Sequence, residues 1–112
     1  MDANTMLAAI TAALQTGTHM PPFQVDDNQL WKGGDWYCEC NSEADARLFA
    51  ALLNAAGPMC EAAKTALESA AVMRTMGPVH TAGAVGTELA VTTMLHPFYA
   101  ALVAAGAIAE VA

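Results

Sequence analysis

The run Gly33-Gly34-Asp35-Trp36-Tyr37-Cys38-Glu39-Cys40-Asn41-Ser42-Glu43-Ala44-Asp45-Ala46-Arg47-Leu48-Phe49 decides the fold, because its apolar period changes inside it. Up to Cys40 the period is two. Trp36, Cys38 and Cys40 alternate with Asp35, Tyr37 and Glu39, which predicts a strand turning the first set toward a core and the second toward water. Beyond Asn41 the period becomes helical, and Leu48, Phe49, Leu52, Leu53 and Ala56 form one apolar stripe. Ser42 opens this helix: its hydroxyl can accept from the third backbone N–H after it while Asp45 reaches back, a capping box with Asp in the place of the usual Glu or Gln. Gly33-Gly34 is a two-residue reversal, so Gln29 to Lys32, or a longer run from Phe23, is expected to pair with the strand as a hairpin. A lone hairpin is marginal in water, so its apolar face must lie on a helix.

Working outward, Ala3, Met6, Leu7, Ile10, Ala13 and Leu14 have the spacing of a helix over Asp2 to Gln15, with Gly17 as a stop. Pro21-Pro22 then imposes an extended connection. On the C-terminal side, Gly57-Pro58 is expected to end the Ser42 helix and to supply the first turn of another. That next helix runs from Pro58 to Met76, with Met59, Ala63, Ala66, Leu67, Ala70 and Met73 on one face. Glu61, Lys64, Thr65 and Glu68 line the other face, where Glu61–Lys64 and Lys64–Glu68 pairs would add about 0.2–0.5 kcal/mol each. Gly77-Pro78 closes it, and the glycines between Val79 and Gly86 argue against regular structure there. Thr87 is expected to cap a helix through Leu95, which His96-Pro97 breaks. Phe98, Leu102, Ala105 and Ile108 form a last stripe, frayed by Gly106 and by Glu110 at the negative end of the helix dipole. The expected architecture is mainly α, four or five helices with a single short β-hairpin in one domain, 1–112.

Composition agrees with this class. The 112 residues are 55% apolar and only 13% charged, enough for one self-sufficient core. Alanine takes 26 positions against 10 Leu, 7 Val and 2 Ile, which favours helices and a thin core. Eleven acids against four bases give a net charge of −7, and such a field repels phosphate backbones. Direct nucleic-acid binding is therefore not expected. Leu89 to Ala109 carries no formal charge, but Thr92, Thr93, His96 and Pro97 interrupt it and no base flanks it, so no membrane span is expected. Three cysteines with no feasible framework and a start without a basic n-region point to a reducing cytoplasm.

No motif carries chemistry. Cys38, Cys40 and Cys60 with His19, His80 and His96 lack the paired spacing of a zinc site, and the cysteines read as small apolar groups. Ser42 and Ser69 stand in no nucleophile elbow. Gly83-Ala84-Val85-Gly86-Thr87 lacks the lysine and the glycine spacing of a phosphate loop and reads as a turn. Catalytic residues, metal ligands and cofactors are accordingly expected to be absent. A small enzyme would need a pocket uniting Cys60 with a histidine. Six of the eleven acids, Asp26, Asp27, Asp35, Glu39, Glu43 and Asp45, lie within twenty residues that also hold Trp31, Trp36 and Tyr37. Either the indoles pack under the hairpin and the acids solvate its outer face, or the aromatics anchor a contact and the acids steer a basic partner.

The strand Trp36 to Cys40, followed by Asn41-Ser42-Glu43-Ala44-Asp45-Ala46-Arg47-Leu48-Phe49-Ala50, resembles small accessory proteins of bacteriophages and prophages. In those a short strand leads into an Ala-Asp-Ala-Arg-Leu-type helix, then a proline break and a second alanine-rich helix. Gly57-Pro58 and Glu61 to Glu68 are similar to the latter features, and the likeness covers residues 29 to 69. The resemblance implies a protein made in the cytoplasm of a bacterial host and acting by contact, in the manner of inhibitors of host defence such as anti-CRISPR proteins. The expected function is non-enzymatic occlusion of a basic surface on a bacterial host protein or ribonucleoprotein complex. Asp26, Asp27, Asp35, Glu39, Glu43 and Asp45 would face that surface, with Trp31 and Tyr37 as anchors, on a monomer or homodimer. The alternative is a phage assembly protein that self-associates through its apolar C-terminal helices.

Overall fold

The computed structural model describes residues 1–15 and 22–109, and the expected stop at Gly17 lies outside them. Among the described residues there are three helices, α1 (Ala3–Gln15), α2 (Glu43–Met73) and α3 (Pro78–Ala104), and three strands, β1 (Gln24–Asp26), β2 (Gln29–Lys32) and β3 (Asp35–Glu39). The strands form one antiparallel sheet in the order β1-β2-β3. The expectation of four or five helices with a single hairpin is thereby corrected.

The corrections to the helices share a cause. Neither proline ends a helix: α2 runs through Pro58 and α3 through Pro97. Both prolines face solvent, so each ring displaces water rather than packed side chains. The buried positions also stay in helical phase across them. Ala56, Cys60, Ala63, Leu67 and Ala70 follow alternating steps of four and three, as do Val91, Leu95 and the half-buried Phe98 and Leu102. A proline in mid-helix costs about 3 kcal/mol, and a continuous buried stripe offsets that where two unrelated helices would not. Thr92 and Thr93 return hydroxyl hydrogen bonds to the carbonyls of Glu88 (2.8 Å) and Leu89 (2.9 Å) just before Pro97.

The segment 79–86, expected to be irregular, is helical, and α3 starts at Pro78 rather than at Thr87. Gly77 precedes it with φ 108° and ψ 178°, a conformation essentially confined to glycine, and Pro78 sets the first helical φ. Arg74 reaches across this turn to Glu88, Nε to Oε1 2.9 Å. Glu61–Lys64 and Lys64–Glu68 do not close among the described residues; the ion pairs there are Arg47–Glu43 and Arg74–Glu88. Among the described residues, no helix is long and apolar enough to cross a membrane, the uncharged stretch of α3 included.

The chain divides into two compact units, Gln15–Met59 on one side and Met1–Leu14 with Cys60–Ala112 on the other. In the second unit, Met6, Ile10 and Leu95 are fully enclosed and gather Ala3, Cys60, Ala63, Leu67 and Val91 into a core. Asp2 caps α1 by accepting the Thr5 N–H at 2.7 Å; hydrogen bonding with the Thr5 side chain first, and with this N–H second, holds the Asp2 carboxyl below its ordinary range.

The first unit is the sheet and the start of α2. Its core is Phe23, Leu30 and Ala50, with Val25, Cys38 and Cys40 packed against it. As expected, Gly33-Gly34 makes the β2–β3 reversal, with φ of 58° and 88°, the positive pair that a type I′ turn needs. The extra strand arises because Asp27-Asn28 makes a second tight turn. Asp27 sits at φ 57°, a region that Asp and Asn tolerate better than other side chains. Asn28 then fastens the end of β3 to this turn: its carbonyl accepts the Cys40 N–H at 2.7 Å and its Nδ2 donates to the Cys40 carbonyl at 2.9 Å.

Asn54 of α2 ties the sheet to the helix. Its Oδ1 accepts the Phe23 N–H at 2.7 Å and its Nδ2 donates to the Phe23 carbonyl at 3.0 Å. Both bonds are half-buried, so removing the amide leaves two backbone groups unmet. Asn54→Ala is expected to destabilise the sheet unit by ~2 kcal/mol in a denaturant titration followed by tryptophan fluorescence. An unchanged midpoint would show that the clamp carries no stability.

Candidate functional site

The register of the sheet determines which side chains share a face. Val25, Leu30 and Cys38 are cross-strand partners, and they form the side that packs with Phe23 and Ala50. The opposite side carries two rows: Gln24, Trp31 and Trp36 in one, and Asp26, Gln29 and Glu39 in the other.

A bulge produces this division. The two-residue turn pairs Lys32 with Asp35 and Trp31 with Trp36, but the next partner of β2, Leu30, meets Cys38 rather than Tyr37. Tyr37 is thus one residue extra in β3. Before it, Trp36 belongs to the outer face; after it, Cys38 belongs to the inner one. The alternation expected from sequence therefore fails at one member. Cys38 and Cys40 lie on the core side as predicted, whereas Trp36 is turned out and is 55% exposed. Tyr37 leans on Phe23, ring centroids 4.9 Å apart and tilted by 58°, and keeps 40% of its surface exposed.

The sequence-nominated residues are distributed as follows. Asp26, Trp31 and Glu39 share the outer face of the sheet. Asp27 lies in the β1–β2 turn and Asp35 beside the β2–β3 turn, at opposite ends of the sheet. Glu43 and Asp45 belong to the first turn of α2, where acids favour the positive end of the dipole. There Glu43 pairs with Arg47, and the Asp45 N–H donates to Ser42 Oγ at 3.1 Å, which is the Ser42 half of the expected capping box without, among the described residues, the return bond from the Asp45 carboxylate. Trp36, Gln24 and Gln29 are outer-face residues that the sequence reading did not nominate. For Trp36 a signal existed: a two-residue turn after Lys32 makes it the partner of Trp31.

On this face Gln24, Val25, Asp26, Trp31 and Gly34 line an open cavity of about 360 Å³. The indole Nε1–H of Trp31 is covered and has no hydrogen-bond partner among the described residues, an unmet donor of the kind that folded proteins seldom keep. Glu39 Oε1 receives only a long contact, 3.4 Å, from Asn28 Nδ2.

The stripe expected to bury Leu48, Phe49, Leu52 and Leu53 is also corrected. All four are exposed, Leu52 by 60%, and the buried line of this part of α2 is Ala46, Ala50 and Ala56. Of these alanines, Ala50 is the one that joins the core of Phe23 and Leu30. Apolar periodicity reports a stripe, and here the stripe of small residues is the one that packs.

No family model, curated protein or solved structure matches the chain.

Among the described residues no three His, Cys, Asp or Glu side chains are grouped to hold a metal ion. Cys38 and Cys40 are half-buried free thiols; burial raises Cys40, and the neighbouring Cys38 and Asp45 add to the shift. Cys60 is buried in the other unit's core. Burial raises its thiol too, a hydrogen bond with Thr11 opposes that, and Glu61 reinforces it. Such a thiol stays protonated and is a poor nucleophile near neutrality.

Because the native state holds the Cys60 proton more firmly than the unfolded chain, the linked stabilisation is complete below the ordinary thiol value of 9.0 and is lost as pH rises through the native value. Wild type should therefore lose more stability than Cys60→Ala when the pH of a urea titration is raised from about 8 to well above 9. Equal losses in the two proteins would refute the shift.

Proposed function

We infer that this chain is a non-enzymatic binding protein that covers a basic surface of another protein with the outer face of its sheet. The observation that carries the reading is the co-location of the exposed Trp36 and the half-buried Trp31 with the exposed Asp26 and Glu39 on the face of the sheet opposite its core. Exposed indoles are typical anchors of protein contacts, and carboxylates around them raise association rates with cationic partners. Electrostatics support the same direction, since residues 22–59 hold six acids against the bases Lys32 and Arg47. The exposed positions of Asp27 and Asp35 at the two turns extend the negative field beyond the face itself. The likeness of residues 29–69 to bacteriophage accessory proteins favours a bacterial host protein or ribonucleoprotein as the target, and occlusion of its nucleic-acid-binding surface as the mode of inhibition.

A second reading, self-association as an assembly protein, is favoured by one observation. Leu48, Phe49 and Leu52 of α2, and Val79, Val85, Leu89 and Met94 of α3, are exposed apolar side chains. Apolar surface on this scale is often covered in an oligomer.

One comparison separates the two. Tagged wild type and the triple variant Asp26→Lys, Asp35→Lys, Glu39→Lys are used to capture partners from a bacterial lysate, and the mass of each protein is measured by sedimentation. The binding reading predicts a small wild-type species and a captured complex that is lost both in the variant and at raised salt, with no fall in the variant's melting temperature. Capture unaffected by the three reversals removes the sheet face from the account. A large homo-oligomer without a captured complex selects self-association.

A further inference from the structure

We propose that the outer face of the sheet recognises arginine: an extended basic segment of the partner lays a guanidinium on Trp36, with Glu39 as its counter-ion and Asp26 adding to the negative field from β1. This rests on the docking reading above and specifies the chemistry it would select.

The geometry supplies the parts such a site needs. Trp31 and Trp36 are cross-strand partners in one row, and Asp26 and Glu39 occupy the next row on the same face. Rows on one face of a strand are separated by two residues, about 7 Å. A planar cation seated on the Trp36 indole is attracted within about 6 Å of the ring centre, and its N–H groups can then point along β3 toward Glu39. Glu39 has acceptor capacity left, because its one contact from Asn28 is long at 3.4 Å. The cations of the sheet unit itself do not compete for the face. Arg47 is paired with Glu43 on α2, and Lys32 stands opposite Asp35 with the alternation of the core side.

One further observation favours a peptide segment over a free cation. An open cavity borders the edge strand β1, lined by Gln24, Val25, Asp26, Trp31 and Gly34, and gives an extended chain a place to lie. Arginine is preferred to lysine on physical grounds. Its guanidinium is flat, weakly hydrated and able to stack while donating in its own plane, whereas an ammonium holds its water and donates from a point.

Both tryptophans of the chain lie on this face, so intrinsic fluorescence reads the site directly. The probes are three capped peptides, Gly-Arg-Gly-Arg-Gly-Arg-Gly, its lysine counterpart and its citrulline counterpart, titrated into the full-length protein. Affinities for the variants are taken from calorimetry. The arginine peptide should shift the tryptophan emission saturably and bind about fivefold more tightly than the lysine peptide, and the uncharged citrulline peptide should not bind. Trp36→Ala removes an exposed ring and leaves the core intact. It should weaken the arginine peptide about fivefold and erase its advantage over lysine, while Asp26→Asn should weaken both cationic peptides alike. Equal binding of the arginine and lysine peptides, or an arginine preference that survives Trp36→Ala, overturns arginine recognition and leaves docking on a basic surface standing. If no peptide binds but the captured complex still depends on the three acids, the arginine inference alone falls. If neither occurs, both readings fall together.

Discussion

The organisation of the sheet unit depends on one constraint: Leu30 must be buried against Ala50, and its neighbour Trp31 must therefore face the other way. Leu30 is 1% exposed and at the centre of its core, so it fixes the parity of β2. The Gly33-Gly34 turn transmits that parity to β3, because a two-residue reversal leaves no freedom in pairing Trp31 with Trp36. From there a regular strand would bring Tyr37 inward and send Cys38 out. The extra residue at Tyr37 restores Cys38 to the core and leaves Trp36 at the surface. One inserted residue thus gives a sheet with an apolar inner face and an outer face where indoles and carboxylates lie side by side.

Local signals in the sequence hold in the structure where a single residue type enforces a conformation. The Ser42 cap, the Gly33-Gly34 reversal, the α1 stripe and the Gly77-Pro78 boundary all appear in the structure. The errors came where tertiary packing outweighs such a signal. Pro58 and Pro97 are strong helix breakers in isolation, yet the buried stripes on their helices continue past them in phase. Gly83 and Gly86 lower helix propensity without preventing a helix that carries Ala84 and Val91 into a buried line. In α2 the large apolar residues mark a stripe, yet Ala46 and Ala50 are the buried positions and Ala50 joins the core of the sheet. The Asn54 clamp was not legible at all, since an amide thirty-one residues from its backbone partners leaves no periodic trace.

The candidate face was partly legible. Asp26, Trp31 and Glu39 were nominated by composition within a short stretch, and register places them together. Trp36 was assigned to the core by unbroken alternation, which cannot anticipate a bulge. Glu43 and Asp45 share the acidic stretch but belong to the helix start, where one is paired and the other lies next to the cap. The negative charge of this region therefore has two origins, helix capping and an outward sheet face, and only the second has indoles beside it.

The outward orientation of Trp36 is the claim on which the functional reading turns, and a proton NOESY spectrum of the free protein tests it most directly. The account predicts cross-strand contacts between Trp36 and Trp31, and none from the Trp36 ring to Leu30 or Ala50. Ring contacts from Trp36 to those two residues would contradict it, because the strand would then alternate without a bulge and the indole would be part of the core.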